Sequence, residues 1–360
     1  MFIHPMSPPL TRDRRTSGWT GIASALALFL ALGALTPAAA ASGGEISVQG
    51  TTILRDGGPW VAKGVTLVGR VSPAALSRGN FAQARQQFGE DELRDVKQFG
   101  ADLVRFQISQ GGSDPQSAIY SADYLKEVQS AVQLARNDGF SVIVSLQAEQ
   151  PSGLNEMGMP NEKAQRAWQS LAALFAADRG VMLELFNEPS PNGPDATPSH
   201  DWATWRGAMQ PLVDTVRGAG AKNVLILDGL FWSQVLKGAS QIQDPLAQIV
   251  YAVHPYYSQY LRNKSDWDDM FGDFAKTHAV MATEWNAVSF RQNCNSATPQ
   301  FAADMLKYLR ERRIGLVVWA YDFPRAIFLS AHGPLTTFNG FQCGPQTQFG
   351  AGYLISQYFK

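Results

Sequence analysis

Cysteine and histidine are both scarce in this chain of 360 residues, which has two of the first and five of the second. Two separated cysteines without neighbouring histidine do not suggest a metal site, and no two histidines are spaced as a ligand pair. The Gly-x-Ser-x-Gly elbow of serine hydrolases, the Gly-Lys-Ser/Thr phosphate loop and the His-Glu-x-x-His helix of zinc proteases are all missing. Neither a cofactor nor a metal is therefore expected. Excess charge is absent too: 30 Lys and Arg against 31 Asp and Glu leave a formal charge of −1, with no basic stripe. A chain so balanced lacks the electrostatic footprint of a nucleic-acid or anionic-membrane binder. It suits an uncharged partner, such as a neutral poly- or oligosaccharide.

The one prominent apolar segment lies at the start. Arg12, Arg14 and Arg15 precede the apolar stretch Ile22–Leu35, and Thr36–Ala41 ends in small residues. That order reads as a signal peptide over residues 1–41, with an Ala-x-Ala cleavage site near Ala39 or Ala41. The apolar part is short for a bilayer span, so a retained anchor is the lesser reading. The mature chain is expected to be secreted or periplasmic, off the membrane and monomeric. No linker or charge block divides residues 42–360, which read as one domain. Cys294 and Cys343 are an even count in an exported chain and are expected to pair.

From residue 60 onward β-type runs alternate with helical patterns. The strands read as Trp60–Leu67, Asp102–Ile108, Ser141–Leu146, Val181–Phe186, Asn223–Leu227, Ile249–Val253, Val280–Thr283 and Leu316–Trp319. Several are nearly continuous apolar runs, as for parallel strands covered on both faces. Helices are expected over Ser121–Asn137, Asn161–Ala177, Asp201–Arg217, Ser265–His278, Thr298–Arg312 and Gly352–Phe359. Ser121 is placed to cap the first, and Gly139 follows its end. Eight strands with interleaved helices argue for an α/β fold, a single-domain (β/α)8 TIM barrel, over an open doubly wound sheet. A short N-terminal β-hairpin, Glu45–Leu54 with the Asp56-Gly57-Gly58 turn, is expected to plug its bottom.

Two apolar runs, VMLELFNEP and AVMATEWNA, each deliver one glutamate at a strand end, Glu188 and Glu284. Barrel enzymes keep their chemistry at the C-terminal ends of strands. Two carboxylates brought together there are the minimum equipment for cleaving a glycosidic bond, one as acid and one as nucleophile. The acid must hold its proton near neutral pH, and the charge of Glu284 would favour that on Glu188. Arg105, the lone cation in LVRFQI, is placed to keep Glu284 ionised.

These residues together resemble the cellulase-like family of glycoside hydrolases, family 5. The resemblance covers the whole barrel and rests on VRF with Arg105, LFNEP with Asn187 and Glu188, VHPYY with His254 and Tyr256, TEWNA with Glu284, and VVWAY with Trp319. It implies a retaining hydrolase with Glu188 as acid/base and Glu284 as nucleophile. Asn187 would then bond the sugar 2-hydroxyl, Tyr256 would hold the nucleophile, His254 and Arg105 would complete the polar net, and Trp319 would stack on the central sugar. Trp285, Trp232 and Tyr257 are further cleft candidates, and Glu149 and Glu156 lie in a loop nearby.

The chain departs from the family pattern in two places. Many relatives carry a histidine at the end of the third strand, where VSLQAEQ has Gln147, and another after the first strand, where KGVTLVGR has none. Gln147 therefore joins the substrate-binding set, and the sugar cannot be borrowed from well-known cellulases. An endo-β-glucanase is the leading expectation, with endo-β-mannanase and exo-acting or β-1,3-type glucanase as competitors. A non-catalytic carbohydrate-binding barrel predicts loss of a glutamate or of the arginine, and all three are present.

The cysteine pairing has a direct check. Reduction of a Cys294–Cys343 bridge should lower the melting temperature by a few degrees, on the scale of about 2–4 kcal/mol. Two free thiols in the exported protein, counted by mass spectrometry after alkylation, would refute it.

Overall fold

Strand LVRFQIS shows how the barrel is built. Its even positions, Val104, Phe106 and Ile108, join the large apolar cluster with the surrounding helices, whereas Leu103 joins a second cluster. Successive side chains of a strand point to opposite faces, so Leu103, Arg105, Gln107 and Ser109 share the inner one. The computed structural model describes residues 44–70, 72–84, 89–190, 201–258, 260–288, 298–323, 326–328, 338 and 349–360. The expected signal peptide, most of the loop after Ser190, and both Cys294 and Cys343 lie outside them.

An antiparallel sheet comes first: β1 (Ile46–Gln49), β2 (Thr52–Arg55) and the two-residue β3 (Gly58–Pro59). Eight parallel strands follow, β4 (Lys63–Leu67), β5 (Leu103–Ser109), β6 (Ser141–Gln147), β7 (Val181–Glu184), β8 (Leu225–Asp228), β9 (Ile249–Val253), β10 (Val280–Ala282) and, after β11 (Ala287–Val288), β12 (Gly315–Val318). Each pairs with its neighbour in chain order, and β12 pairs with β4 at Leu316–Lys63 through Val318–Val65, closing a (β/α)8 barrel. The side chain of Asp322 fastens the closure, accepting from the backbone N–H groups of Val68 and Gly69 at 2.9 and 2.7 Å. A small sheet of β11 with β13 (Phe349–Gly350) lies outside the barrel strands.

The barrel interior is apolar at one end and polar at the other. Leu103, Ile143, Met182, Ile226, Val250, Met281 and Val317 fill the N-terminal end together with Ile46 and Ile53 of the antiparallel sheet. That sheet therefore plugs the bottom, as expected, with a third short strand added to the hairpin. Two residues further along the same strands stand Arg105, Ser145, Glu184, Asp228 and Thr283, all buried. The gradient puts the polar groups at the C-terminal mouth.

Helices cover the outside, and several begin where side chains predict. Ser121 accepts from the Tyr124 N–H to start Ala122–Asn137, and Asn161 accepts from the Lys163 N–H to start Glu162–Phe175. The segment expected as one helix over Ser265–His278 is three pieces: an α turn at Lys264–Trp267, a π turn at Asp268–Gly272 and a 3₁₀ turn at Phe274–Lys276. Glu90–Phe99 is a helix that the sequence reading passed over. It buries Leu93, Val96 and Phe99 at three-residue spacing and ends at Gly100, whose φ is 101°. Among the described residues no helix is long and apolar enough to cross a membrane.

Gly64 tests the packing of the inner layer. A Cβ there would lie 2.9 Å from both Leu103 Cδ2 and Val317 Cγ2. Gly64→Val should destabilise the protein by about 1–3 kcal/mol through overpacking, read from the urea midpoint.

Candidate active site

Arg105 is fully buried in β5 and its guanidinium donates to four acceptors. Nε donates to Glu184 Oε2 at 2.5 Å, Nη1 to Glu284 Oε1 at 2.7 Å, and Nη2 to Asn187 Oδ1 at 2.6 Å and Ser145 Oγ at 2.9 Å. One planar fork thus joins strands β6 and β7 to the segments after β7 and β10. Burial opposes its charge, but Glu184 and Glu284 outweigh that and raise its pKa further above the ordinary arginine value.

From this fork the polar net spreads across the mouth. Asn187 donates to Gln147 Oε1 at 3.0 Å, which also accepts from Gln107 at 2.7 Å. Gln107 Oε1 accepts from the indole N–H of Trp319 at 3.4 Å. On the other side Tyr256 O–H donates to Glu284 Oε2 at 3.4 Å. His254 Nδ1 lies 3.0 Å from Glu188 Oε1 and 3.8 Å from Glu284 Oε2, while Nε2 lies 3.0 Å from Thr283 Oγ1. The His254 backbone N–H is held by the Ser233 carbonyl at 2.7 Å.

Glu188 is oriented through its backbone. Its φ is +55°, in the left-handed region that costs an L-residue roughly 1–2 kcal/mol. Its N–H donates to Asp228 Oδ2 at 2.9 Å, tying that conformation to the tip of β8. The Glu188 side chain keeps 23% of its surface exposed, while those of Glu284 and Arg105 keep 6% and none.

The carboxyls differ in electrostatic setting. Burial pushes Glu188 up to about 7, opposed by Arg105 and reinforced by Glu184. The main cause is thus desolvation, not the charge of Glu284 on which the sequence argument relied. Glu284 is raised too, mainly by burial, with Arg105 and then His254 opposing the rise and Glu188 and Glu184 adding to it. Glu184 is lowered, because Arg105 and His254 overcome its burial. Asp228 is raised well above the carboxylate range by burial and by Glu184. Desolvation lowers His254 to about 4, leaving a neutral imidazole at pH 7.

Two triads are close enough on distance to hold a cation: Glu184, Asp228 and His254, and Glu188, His254 and Glu284, with one donor atom of each within 4.8 Å of the others. In each, one carboxylate is already bonded to Arg105. A divalent ion would face a fixed like charge there, so the donor sets do not fit a resident metal.

Arg105, Gln147, Asn187, Glu188, His254, Tyr256 and Glu284 are thus one connected group, with Trp319 at its edge. Trp319 is 7% exposed, and its ring centre lies 4.7 Å from that of Phe323. Trp285 stands apart. It is fully enclosed in the main apolar cluster, with no ring surface exposed, and its backbone carbonyl accepts the Trp319 N–H at 3.0 Å. Tyr257 packs edge-on against Phe301 at 5.1 Å, and Trp232 lies half-buried against the main cluster. Glu149 is not a solvated loop carboxylate. It is buried, bonds Ser109 and the Gly111 N–H, and is pushed up to about 7 by burial. Glu156 pairs with Lys163 at the surface. Sequence reasoning missed Glu184, Asp228, Ser145 and Thr283. Their signal was a polar residue at the inward positions of otherwise apolar strands.

The family model for Cellulase (glycosyl hydrolase family 5) matches residues 75–323. The chain belongs to glycosyl hydrolase family 5. It is 24% identical over 307 residues to Endoglucanase C of Evansella cellulosilytica, covering 77% of this chain and 35% of that protein. It is 24% identical over 252 residues to a mannan endo-1,4-beta-mannosidase of Streptomyces lividans, covering 67% and 60%. The match to Endoglucanase N of Pectobacterium atrosepticum spans 41% of that protein, so the chain covers well under half of these two endoglucanases. Among solved structures it is similar in fold to the beta-glucanase SdGluc5_26A from Saccharophagus degradans in complex with cellotetraose, with a TM-score of 0.62 at 18% identity over 88% of this chain and 93% of that one. The catalytic domain of Thermobifida fusca endoglucanase Cel5A gives 0.64 at 18%, over 88% and 97%.

Arg105 sets a strong expectation. Arg105→Ala leaves Glu184 and Glu284 buried without their counter-charge and should cost about 3–5 kcal/mol of stability by urea denaturation. A loss under 1 kcal/mol would mean that the carboxyls take up protons freely and that the guanidinium does not organise the site.

Proposed function

We propose that this chain is a retaining endo-acting β-glucanase, with Glu188 as acid/base and Glu284 as nucleophile. The observation that carries the reading is the spacing of the pair: an oxygen of Glu188 lies within 4.8 Å of one of Glu284. Retaining glycosidases hold their carboxyls about 5–5.5 Å apart, whereas inverting ones leave about 6.5–9.5 Å for a water. The electrostatic settings suit the two roles. Glu188, pushed up to about 7, holds a proton at working pH. Glu284 takes an N–H of Arg105 on one oxygen and the Tyr256 hydroxyl on the other, both of which favour its charged form.

In the first step Glu284 attacks the anomeric carbon while Glu188 gives its proton to the glycosidic oxygen, so the C–O bond breaks as the glycosyl ester forms. In the second, Glu188 takes a proton from water, whose oxygen displaces Glu284. His254 assists the first state. With the ring proton on Nε2, His254 donates to Thr283 Oγ1. Nδ1 then faces Glu188 as an acceptor and steadies the protonated acid.

The glucan preference is supported by the endoglucanase relatives and by the beta-glucanase whose structure holds cellotetraose. The Streptomyces lividans relative supports the alternative reading, an endo-β-mannanase. Asn187 for the sugar 2-hydroxyl, Gln147 and Trp319 for the central sugar, action as a monomer, and export directed by residues 1–41 complete the proposal.

Three measurements bear on it. Glu188→Gln and Glu284→Gln should each cut turnover of β-glucan by several orders of magnitude with the melting curve kept. The product released first should keep the β configuration by NMR, and kcat/KM should fall as pH rises through about 7, where Glu188 loses its proton. Near-normal activity in either variant, or an inverted product, would overturn the assignment.

A further inference from the structure

Asp228, at the tip of β8, touches no part of the proposed reaction directly, yet it is fully buried among the groups that do. Its backbone carbonyl is fixed by the indole N–H of Trp205 at 2.9 Å, so the residue cannot drift. Its Oδ2 accepts the Glu188 N–H at 2.9 Å, the bond that holds the acid's left-handed backbone, and lies 3.6 Å from His254 Nε2. Its other oxygen, Oδ1, meets no donor among the described residues, and neither does Glu184 Oε1. An oxygen of Asp228 nonetheless lies within 4.8 Å of one of Glu184.

Two buried carboxyls this close, each with one oxygen that meets no donor, repel one another unless one of them holds a proton. Glu184 is committed to Arg105 as an anion, so the proton belongs with Asp228. The charged and titratable groups around Asp228 are Glu184 from β7, Glu188 after it, Arg105 from β5 and His254 after β9. The single cation among them is already shared by Glu184 and Glu284.

On the reading of Glu188 as acid/base, we propose that Asp228 is a positioning residue for it, acting as a neutral carboxylic acid. One of its oxygens anchors the Glu188 backbone, and its O–H bonds Glu184, leaving Glu188 aimed at the glycosidic oxygen. The proton keeps a third negative charge out of the space beside Glu184 and Glu284. Burial and the charge of Glu184 raise the Asp228 pKa well above the carboxylate range, in agreement with that state.

The role is separable from general support of the fold, because the need for an acid depends on the leaving group. An aryl β-glycoside with a dinitrophenolate leaving group departs without protonation, whereas an oligosaccharide does not. Asp228→Ala should lower kcat/KM for a β-linked glucan oligosaccharide about 100-fold and for the dinitrophenyl glycoside under fivefold, with the wild-type enzyme active on both. Asp228→Asn keeps the acceptor oxygen and places N–H groups where the shared proton lies, so it should recover most of that loss. Equal losses on both substrates would reduce Asp228 to a structural residue and overturn the proposal. So would a loss above tenfold in Asp228→Asn, which would mean that a charge is required; that variant decides the matter even if Asp228→Ala does not fold. Inactivity of the wild-type enzyme on both substrates would instead count against the proposed function.

Discussion

Everything at the mouth of this barrel depends on one guanidinium being buried where water cannot serve it. Arg105 has no exposed surface and bonds Glu184, Glu284, Asn187 and Ser145. Its rigid plane fixes where those partners stand, because each N–H of a buried arginine must find an acceptor in a set direction. Such a group contributes little net stability, since desolvation offsets much of the attraction. What it provides is placement: two carboxyls and an amide from separate strands are held to one geometry.

The charge balance around it explains the protonation states. Four carboxyls, of Glu184, Glu188, Asp228 and Glu284, surround one fixed cation, and His254 is held neutral by burial. A low-dielectric site cannot hold four anions beside one cation, so protons make up the difference. Geometry decides where they go. Glu184 touches Arg105 and falls, Glu284 touches it and rises only against its pull, and Asp228 and Glu188 do not touch it and rise. An acid poised near neutral pH is therefore the consequence of burial first, with the charge of Glu184 added and Arg105 opposing it.

Much of this was legible beforehand. The eight strands, their order and the pair of glutamates follow from apolar runs ending in polar residues, which is the pattern of a strand that leaves a covered core for an open rim. Helix starts at Ser121 and Asn161 were readable because a cap is a local event within three residues. Other features were not. Lys264–Lys276 has the apolar spacing of one helix and breaks into three pieces, since packing against the barrel can override a weak period. Trp285 sits in a motif that resembles a binding loop, yet its ring is enclosed, and whether an aromatic faces core or cleft depends on neighbours distant in sequence.

The sequence by itself determined the alternation that builds the barrel, its plug, and the identity of the two glutamates and the arginine. Only the tertiary structure decided which carboxyls meet that arginine and which are left to hold protons. Glu184 is four residues from Glu188 in the chain, and their electrostatic fates are opposite. The physical reason is range: side-chain alternation is set between adjacent residues, but a pKa is set by burial and by charges a few ångströms away, contributed by strands as far apart as β5 and β10.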